Sequence, residues 1–177
     1  MRVARMHFCL FLFVFACGSA NVKPVEVDKI SAVVYLVRHG EKVDNSADAM
    51  LSDEGYVRAR ELAEVLKDAQ IETIHSSAFT RTRQTAAPCA VLFGSEPEVY
   101  DVGKLTEIAE KIKFAGGTHL VVGHSTTTCE LVNLLGGSGG SKIDENEFDR
   151  LYVVTIYEGG SVETDLRRYG EPFVAED

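Results

Sequence analysis

Ala32-Val-Val-Tyr-Leu-Val37 is a continuous apolar run, rich in β-branched residues and followed at once by Arg38-His39-Gly40-Glu41. Such a run reads as a central strand covered on both faces, because a strand with one wet face alternates apolar and polar residues. A second run of the same kind, His119-Leu-Val-Val-Gly123, ends in His124. Between them the periodicity changes from two to nearly four. Ser52 stands where a helix N-cap belongs, Asp53 and Glu54 follow at the positive end, and Ala59, Leu62, Ala63 and Leu66 form an apolar stripe. A short strand is expected near 71–75, a helix over 80–93, a strand at 99–101 and a helix over 105–114. After the second run a helix over 126–135 and two strands, 151–157 and 162–168, complete the chain. Strands alternating with helices predict an α/β fold, a three-layer sandwich with a mostly parallel central sheet, its last two strands forming an antiparallel edge. In such sheets the site lies beyond the carboxyl ends of the strands.

The composition, 177 residues with 45% apolar and 25% charged, suits one globular domain and excludes a disordered, collagenous or multi-span membrane chain. Residues 1–20 read as an export signal. Arg2 and Arg5 precede the apolar run Phe8 to Ala16 and the small residues Cys17-Gly-Ser-Ala20. That run is too short to span a bilayer. Val14-Phe-Ala-Cys17 resembles a bacterial lipobox, so lipidation of Cys17 is expected, with plain cleavage after Ala20 as the alternative. Either fate exports the chain, to the periplasm or, as a lipoprotein, to the outer membrane. Residues 21–177 then form a single domain. Without the two leader arginines, 16 basic residues face 27 acidic ones, a balance of −11. That charge disfavours nucleic acid and anionic lipid, leaving a lipidated Cys17 as the means of membrane attachment. Cys89 and Cys129 lie in no metal-binding spacing and are expected as buried free thiols.

Both apolar strands end in histidine beside glycine, so the imidazoles of His39 and His124 should emerge at the same edge of the sheet. Neither has a second ligand at metal spacing, and Arg38 beside His39 would repel a cation. A guanidinium next to an imidazole suits an anion with several oxygens, which it meets as a fork. No metal or other cofactor is expected.

Arg38-His39-Gly40-Glu41 after an apolar strand resembles the signature of the histidine phosphatase superfamily, the phosphoglycerate mutase-like fold. Three further stretches are similar to that family in order: Leu51-Ser-Asp-Glu-Gly55 with Arg58-Ala59; Ser76-Ser77-Ala-Phe-Thr80-Arg81-Thr-Arg83-Gln84-Thr85-Ala86; and Val122-Gly123-His124-Ser125. Leu131 to Gly137 and Tyr152 to Thr155 look like its short bacterial members. The resemblance covers about residues 30–170. It implies that His39 is a nucleophile forming phosphohistidine, that Arg38 and Arg81 clamp the phosphoryl oxygens, and that His124 donates a further hydrogen bond. Gly40 and Gly123 would let the backbone approach the phosphate, and Arg83 would be a solvated helix residue. Many relatives place a proton-donating carboxylate between the second arginine and the second histidine. Asp101, at the end of a strand, is the first choice over Glu96, Glu98, Glu107 and Glu110. Glu41 would orient Arg38 or line the mouth, and His7, His75 and His119 have no assigned role. The implied function is hydrolysis of a phosphomonoester or phosphohistidine in a small molecule or protein. The alternatives are a mutase-type phosphotransferase and a non-catalytic module that binds phospho-ligands, which turnover of p-nitrophenyl phosphate beside phosphate binding would separate.

Overall fold

The structure, a computed structural model, describes residues 28–175. The leader, with Cys17 and the boundary at residue 20, lies outside the described residues. The elements run β1 (Ile30–Arg38), α1 (Asp53–Leu66), β2 (Thr73–Ser77), α2 (Thr80–Phe93), β3 (Glu98–Tyr100), α3 (Leu105–Ala115), β4 (Gly117–Gly123), α4 (Ser125–Leu134), β5 (Arg150–Tyr157) and β6 (Val162–Arg168). They form one six-stranded sheet in the order β3-β2-β4-β1-β5-β6. β1, β2, β3 and β4 are parallel, whereas β5 pairs antiparallel with both β1 and β6. The expected sandwich and its antiparallel edge are both present. β2 begins two residues later than the apolar signal at Ile71 suggested, because pairing with β4 engages Thr73 to Ser76.

The alternation of side chains in β1 builds two cores from one strand. Val34 and Leu36 pack with Leu105, Ile108 and Ile112 of α3 and Leu131 and Val132 of α4. Val37, one residue out of phase, packs with Leu62 and Leu66 of α1 and Ala86 and Cys89 of α2. One helix pair covers each face. Ser52 caps α1 as its sequence position suggested, its hydroxyl accepting from the Gly55 amide at 3.2 Å. Cys89 is a buried free thiol, but Cys129 is only half-buried, with Sγ 3.6 Å from the Tyr152 hydroxyl, so the expectation of two buried thiols holds for one. No helix among the described residues is long and apolar enough to cross a membrane.

Register between the parallel strands aligns their ends. Arg38 is level with Gly123 and Ser76 with Val122, so β1, β2 and β4 stop at one height. The residues that follow, His39 and His124, are therefore neighbours across a single strand spacing of about 4.8 Å. The His39 amide continues the ladder by donating to the Gly123 carbonyl at 3.0 Å.

Candidate active site

The two imidazoles stand edge to face, with ring centroids 5.3 Å apart. His39 is 4% exposed, and its Nδ1 lies 2.8 Å from the Gly40 carbonyl oxygen. A carbonyl only accepts, so Nδ1 carries the proton and the Nε2 lone pair is left bare. Burial, reinforced by Arg38, His124 and Arg81 against the opposing pull of the Gly40 carbonyl, lowers the His39 pKa to about 3. The ring is a neutral base with a fixed tautomer.

Arg38 is buried, and its Nη1 donates to the carbonyls of Asp144 at 2.8 Å and Glu147 at 2.9 Å. Its guanidinium carbon lies 4.0 Å from the centre of the Phe148 ring. Arg81 projects from the first turn of α2. Its Nη1 donates to Ala47 O at 3.0 Å, its Nη2 approaches His124 Nδ1 at 3.5 Å, and its guanidinium covers the Phe79 ring at 4.5 Å. Each arginine keeps a buried Nε–H with no acceptor. A buried donor left unpaired costs about 1–3 kcal/mol, and the two guanidinium charges beside the imidazoles suit an anion with several oxygens. Burial lowers the pKa of both arginines, that of Arg38 to about 10, which still leaves them charged at neutral pH.

His124 precedes α4, where the positive end of the helix dipole adds to the field. Its Nε2 lies 2.9 Å from Ser77 Oγ, which lies 2.8 Å from Thr82 Oγ1, and that hydroxyl donates to the Phe79 carbonyl at 2.8 Å. With the Thr82 proton on a carbonyl, Ser77 donates to Thr82 and accepts from His124 Nε2–H, while the His124 Nδ1 lone pair faces the donating Arg81 guanidinium. Burial and the two arginines lower the His124 pKa to about 4.

Thus the structure brings together Arg38, His39, Arg81 and His124. The Gly40 amide donates to Thr85 Oγ1 at 3.0 Å, and a Cβ there would press on the Gly55 backbone at 3.0 Å. A Cβ on Gly123 would meet the hydroxyls of Thr127 and Tyr100 at 2.9 Å. At both positions a side chain would be crowded. Asp101 follows β3, but its exposed carboxylate accepts from the Gly103 amide at 2.8 Å and contacts none of the four site residues. Glu96, Glu98, Glu107 and Glu110 are exposed, as is Arg83. Glu41 lines the mouth and forms an ion pair with Arg58 at 2.7 Å. His75 and His119 form a buried pair at 3.1 Å away from this cluster.

Sequence reading missed the segment 141–149, which supplies the carbonyls and the aromatic ring that hold Arg38. Buried Glu147 organises it by accepting from Arg150 Nε at 2.7 Å, from Arg168 Nη1 at 2.6 Å and from the Asp144 amide at 3.1 Å. Burial raises the Glu147 carboxyl, but those hydrogen bonds outweigh it and hold the pKa down at about 2. The three-residue spacing of Glu147 and Arg150 was the one local signal that could have found it.

The histidine phosphatase superfamily (branch 1) matches residues 34–111. No curated protein matches the chain. Among solved structures, the protein histidine phosphatase SixA complexed with tungstate is 24% identical, with a TM-score of 0.60 over 77% of this chain and 95% of that one. A mycobacterial glucosyl-3-phosphoglycerate phosphatase is 15% identical, with a TM-score of 0.58 over 78% and 98%. A structure described as mycobacterial hydrolase 2 is 15% identical, with a TM-score of 0.62 over 82% and 94%. At such identities these structures speak for the fold, and that fold agrees with the family match over residues 34–111, which include Arg38, His39 and Arg81.

Proposed function

We propose that the chain hydrolyses a phosphomonoester or a phosphohistidine through a covalent intermediate on His39. The observation that carries this reading is the bare Nε2 of a neutral, buried imidazole set beside two arginines with unpaired Nε–H donors. In the first step Nε2 attacks phosphorus, the bond to the leaving group breaks, and the charge on the phosphoryl oxygens is met by Arg38, Arg81 and His124. The Gly40 carbonyl stabilises the cationic character that the ring gains as its second nitrogen is phosphorylated. Water then attacks the phosphohistidine, releasing phosphate and restoring His39.

Asp101 has one carboxylate oxygen on the Gly103 amide and makes no hydrogen bond to the four site residues, so among the described residues no carboxylate donor stands at the phosphoryl group. The reading therefore favours leaving groups that are stable as anions, or that reach the site already protonated, as the nitrogen of a phosphoramidate does. The test is a rapid quench of enzyme with ³²P-labelled phosphomonoester. Label that survives alkali, is lost in acid and is absent from His39→Ala is the expected result. Label stable in acid and lost in alkali overturns the histidine mechanism.

A further inference from the structure

Beyond the phosphoryl pocket, the surface that meets the rest of a substrate comes from the loops after β1 and before β5. A cavity of about 770 Å³ opens over Arg38, with Lys42, Asp44, Glu145 and Phe148 in its walls. It adjoins a second cavity of about 440 Å³ through Glu41, Asn146 and Phe148, and the far wall of that one is formed by residues 171–175. Arg38, 7% exposed, forms part of the lining of the first cavity and is the cation an anionic group would meet there.

Around the cationic base the walls carry more negative than positive charge. Glu41 is neutralised by its pairing with Arg58. What remains is Asp44, Asp144, Glu145 and Glu171 against Lys42, whose ammonium is held by Asn45 Oδ1 at 3.1 Å. Asp44 and Asp144 are fixed in place by the amides of Ser46 and Asn146, at 2.8 and 2.9 Å. Glu145 and Asp144 are also the two carboxylates that act most strongly on Arg38. A phosphoester with its phosphoryl group at Arg38 has these carboxylates around the cavity that opens there.

We infer that this outer subsite selects phosphomonoesters whose alcohol carries a cationic nitrogen and discriminates against those whose alcohol carries a carboxylate. The inference rests on the phosphatase reading for the placing of the phosphoryl group. It can be tested with three esters that differ mainly in charge: phosphoethanolamine, ethyl phosphate and phosphoglycolate. Each is measured as a competitive inhibitor of p-nitrophenyl phosphate turnover, so that leaving-group chemistry does not enter. Phosphoethanolamine should bind tightest and phosphoglycolate weakest. The span should be about tenfold at low salt, from several partly solvated carboxylates each acting weakly, and should shrink in 0.5 M salt. In the double variant Asp44→Asn, Glu145→Gln the ratio of the inhibition constants should fall toward one; the ratio is read within each variant, whatever its overall activity. Turnover with a flat or reversed order in the wild type overturns the inference and leaves the phosphatase reading standing. If p-nitrophenyl phosphate is not turned over, calorimetric titration of the three esters decides. The predicted order there sustains the subsite while the hydrolytic reading fails, and equal or absent binding overturns the subsite.

Discussion

At His39 two neighbours divide the work: the Gly40 carbonyl places the proton on Nδ1, and burial beside Arg38, Arg81 and His124 keeps a second proton off Nε2. His39→Ala should abolish turnover, since no other described side chain has a bare nucleophilic atom at the centre of this cluster. Arg38→Ala, Arg81→Ala and His124→Ala should each cost about 10²–10³-fold in kcat/KM, comparable to losing a donor that acts on the transition state. Steady-state kinetics with p-nitrophenyl phosphate checks both, and near-wild-type rates in His39→Ala would contradict the assigned role. The pH profile carries a further expectation. A histidine of ordinary pKa, about 6.5, would be half protonated at that pH. Here both imidazoles are pulled down, to about 3 and about 4, so the neutral form persists far into acid. Corrected for the ester's own ionisation, kcat/KM should hold to about pH 5. Loss of activity centred near pH 6.5 would show that the ring is not shielded as described. Ser77→Ala removes the hydroxyl that orients His124. It should lower kcat more than it raises KM and should move the acid limb, which a purely structural defect would not do.

At the scale of elements, the histidines depend on strand register, whereas Arg38 depends on a loop. Segment 141–149 has no regular structure of its own, and Glu147 ties it to Arg150 and Arg168. Removing one partner of a buried ion pair costs about 3–5 kcal/mol. Glu147→Gln keeps the shape and one acceptor while discarding the charge. It should destabilise by somewhat less than that range and reduce kcat/KM about tenfold or more, by loosening the carbonyls that hold Arg38. Denaturant unfolding together with kinetics on the folded fraction separates the two effects; full activity in the folded variant would mean that the loop does not position Arg38. Gly55 shows a second dependence between elements. A Cβ there would overlap the Glu41 carbonyl, so the first turn of α1 can lie under the Arg38–Glu41 segment only with glycine at that position.

For the whole molecule, acid sensitivity follows from the buried imidazoles. His39, His75 and His124 all have lowered pKa values in the folded state, by burial first, whereas in the unfolded chain each takes up a proton near pH 6.5. Below that pH the unfolded state binds more protons, so stability is fully present above about pH 6.5 and falls as pH drops toward 4. Glu147, also lowered, adds a loss at lower pH, between its ordinary carboxylate value and about 2. Calorimetry should show Tm falling steadily from pH 7 to pH 4.5. Added phosphate should raise it by occupying the pocket of the two arginines. A Tm independent of pH in this interval would mean that these histidines are not buried as described. At its borders the sheet is protected from pairing with other chains: β3 has only three residues, and β6 carries Glu163, Asp165 and Arg167 on an exposed edge.

The resemblance of residues 76–86 to a known family supplied Arg81, whereas the sequence by itself determined the alternation of strands and helices, the antiparallel edge and the two histidines at one edge of the sheet. Each of these is written locally. Apolar runs have their own period, Ser52 caps its own helix, and a histidine one residue past a buried strand must emerge at the end of the sheet. Only the tertiary structure decided what holds those residues. Gly40 and Gly123 turn out to make room for Gly55, Thr127 and Tyr100, and Asp101 gives one carboxylate oxygen to its own loop. Cys129 lies half-buried, and Glu147, Arg150 and Phe148 fix Arg38 from more than 100 positions away along the chain. Hydrogen bonds between distant loops leave no period and no fixed spacing in a sequence. They form because a buried guanidinium must find acceptors, and which carbonyls it finds depends on where the folded sheet brings the loops together.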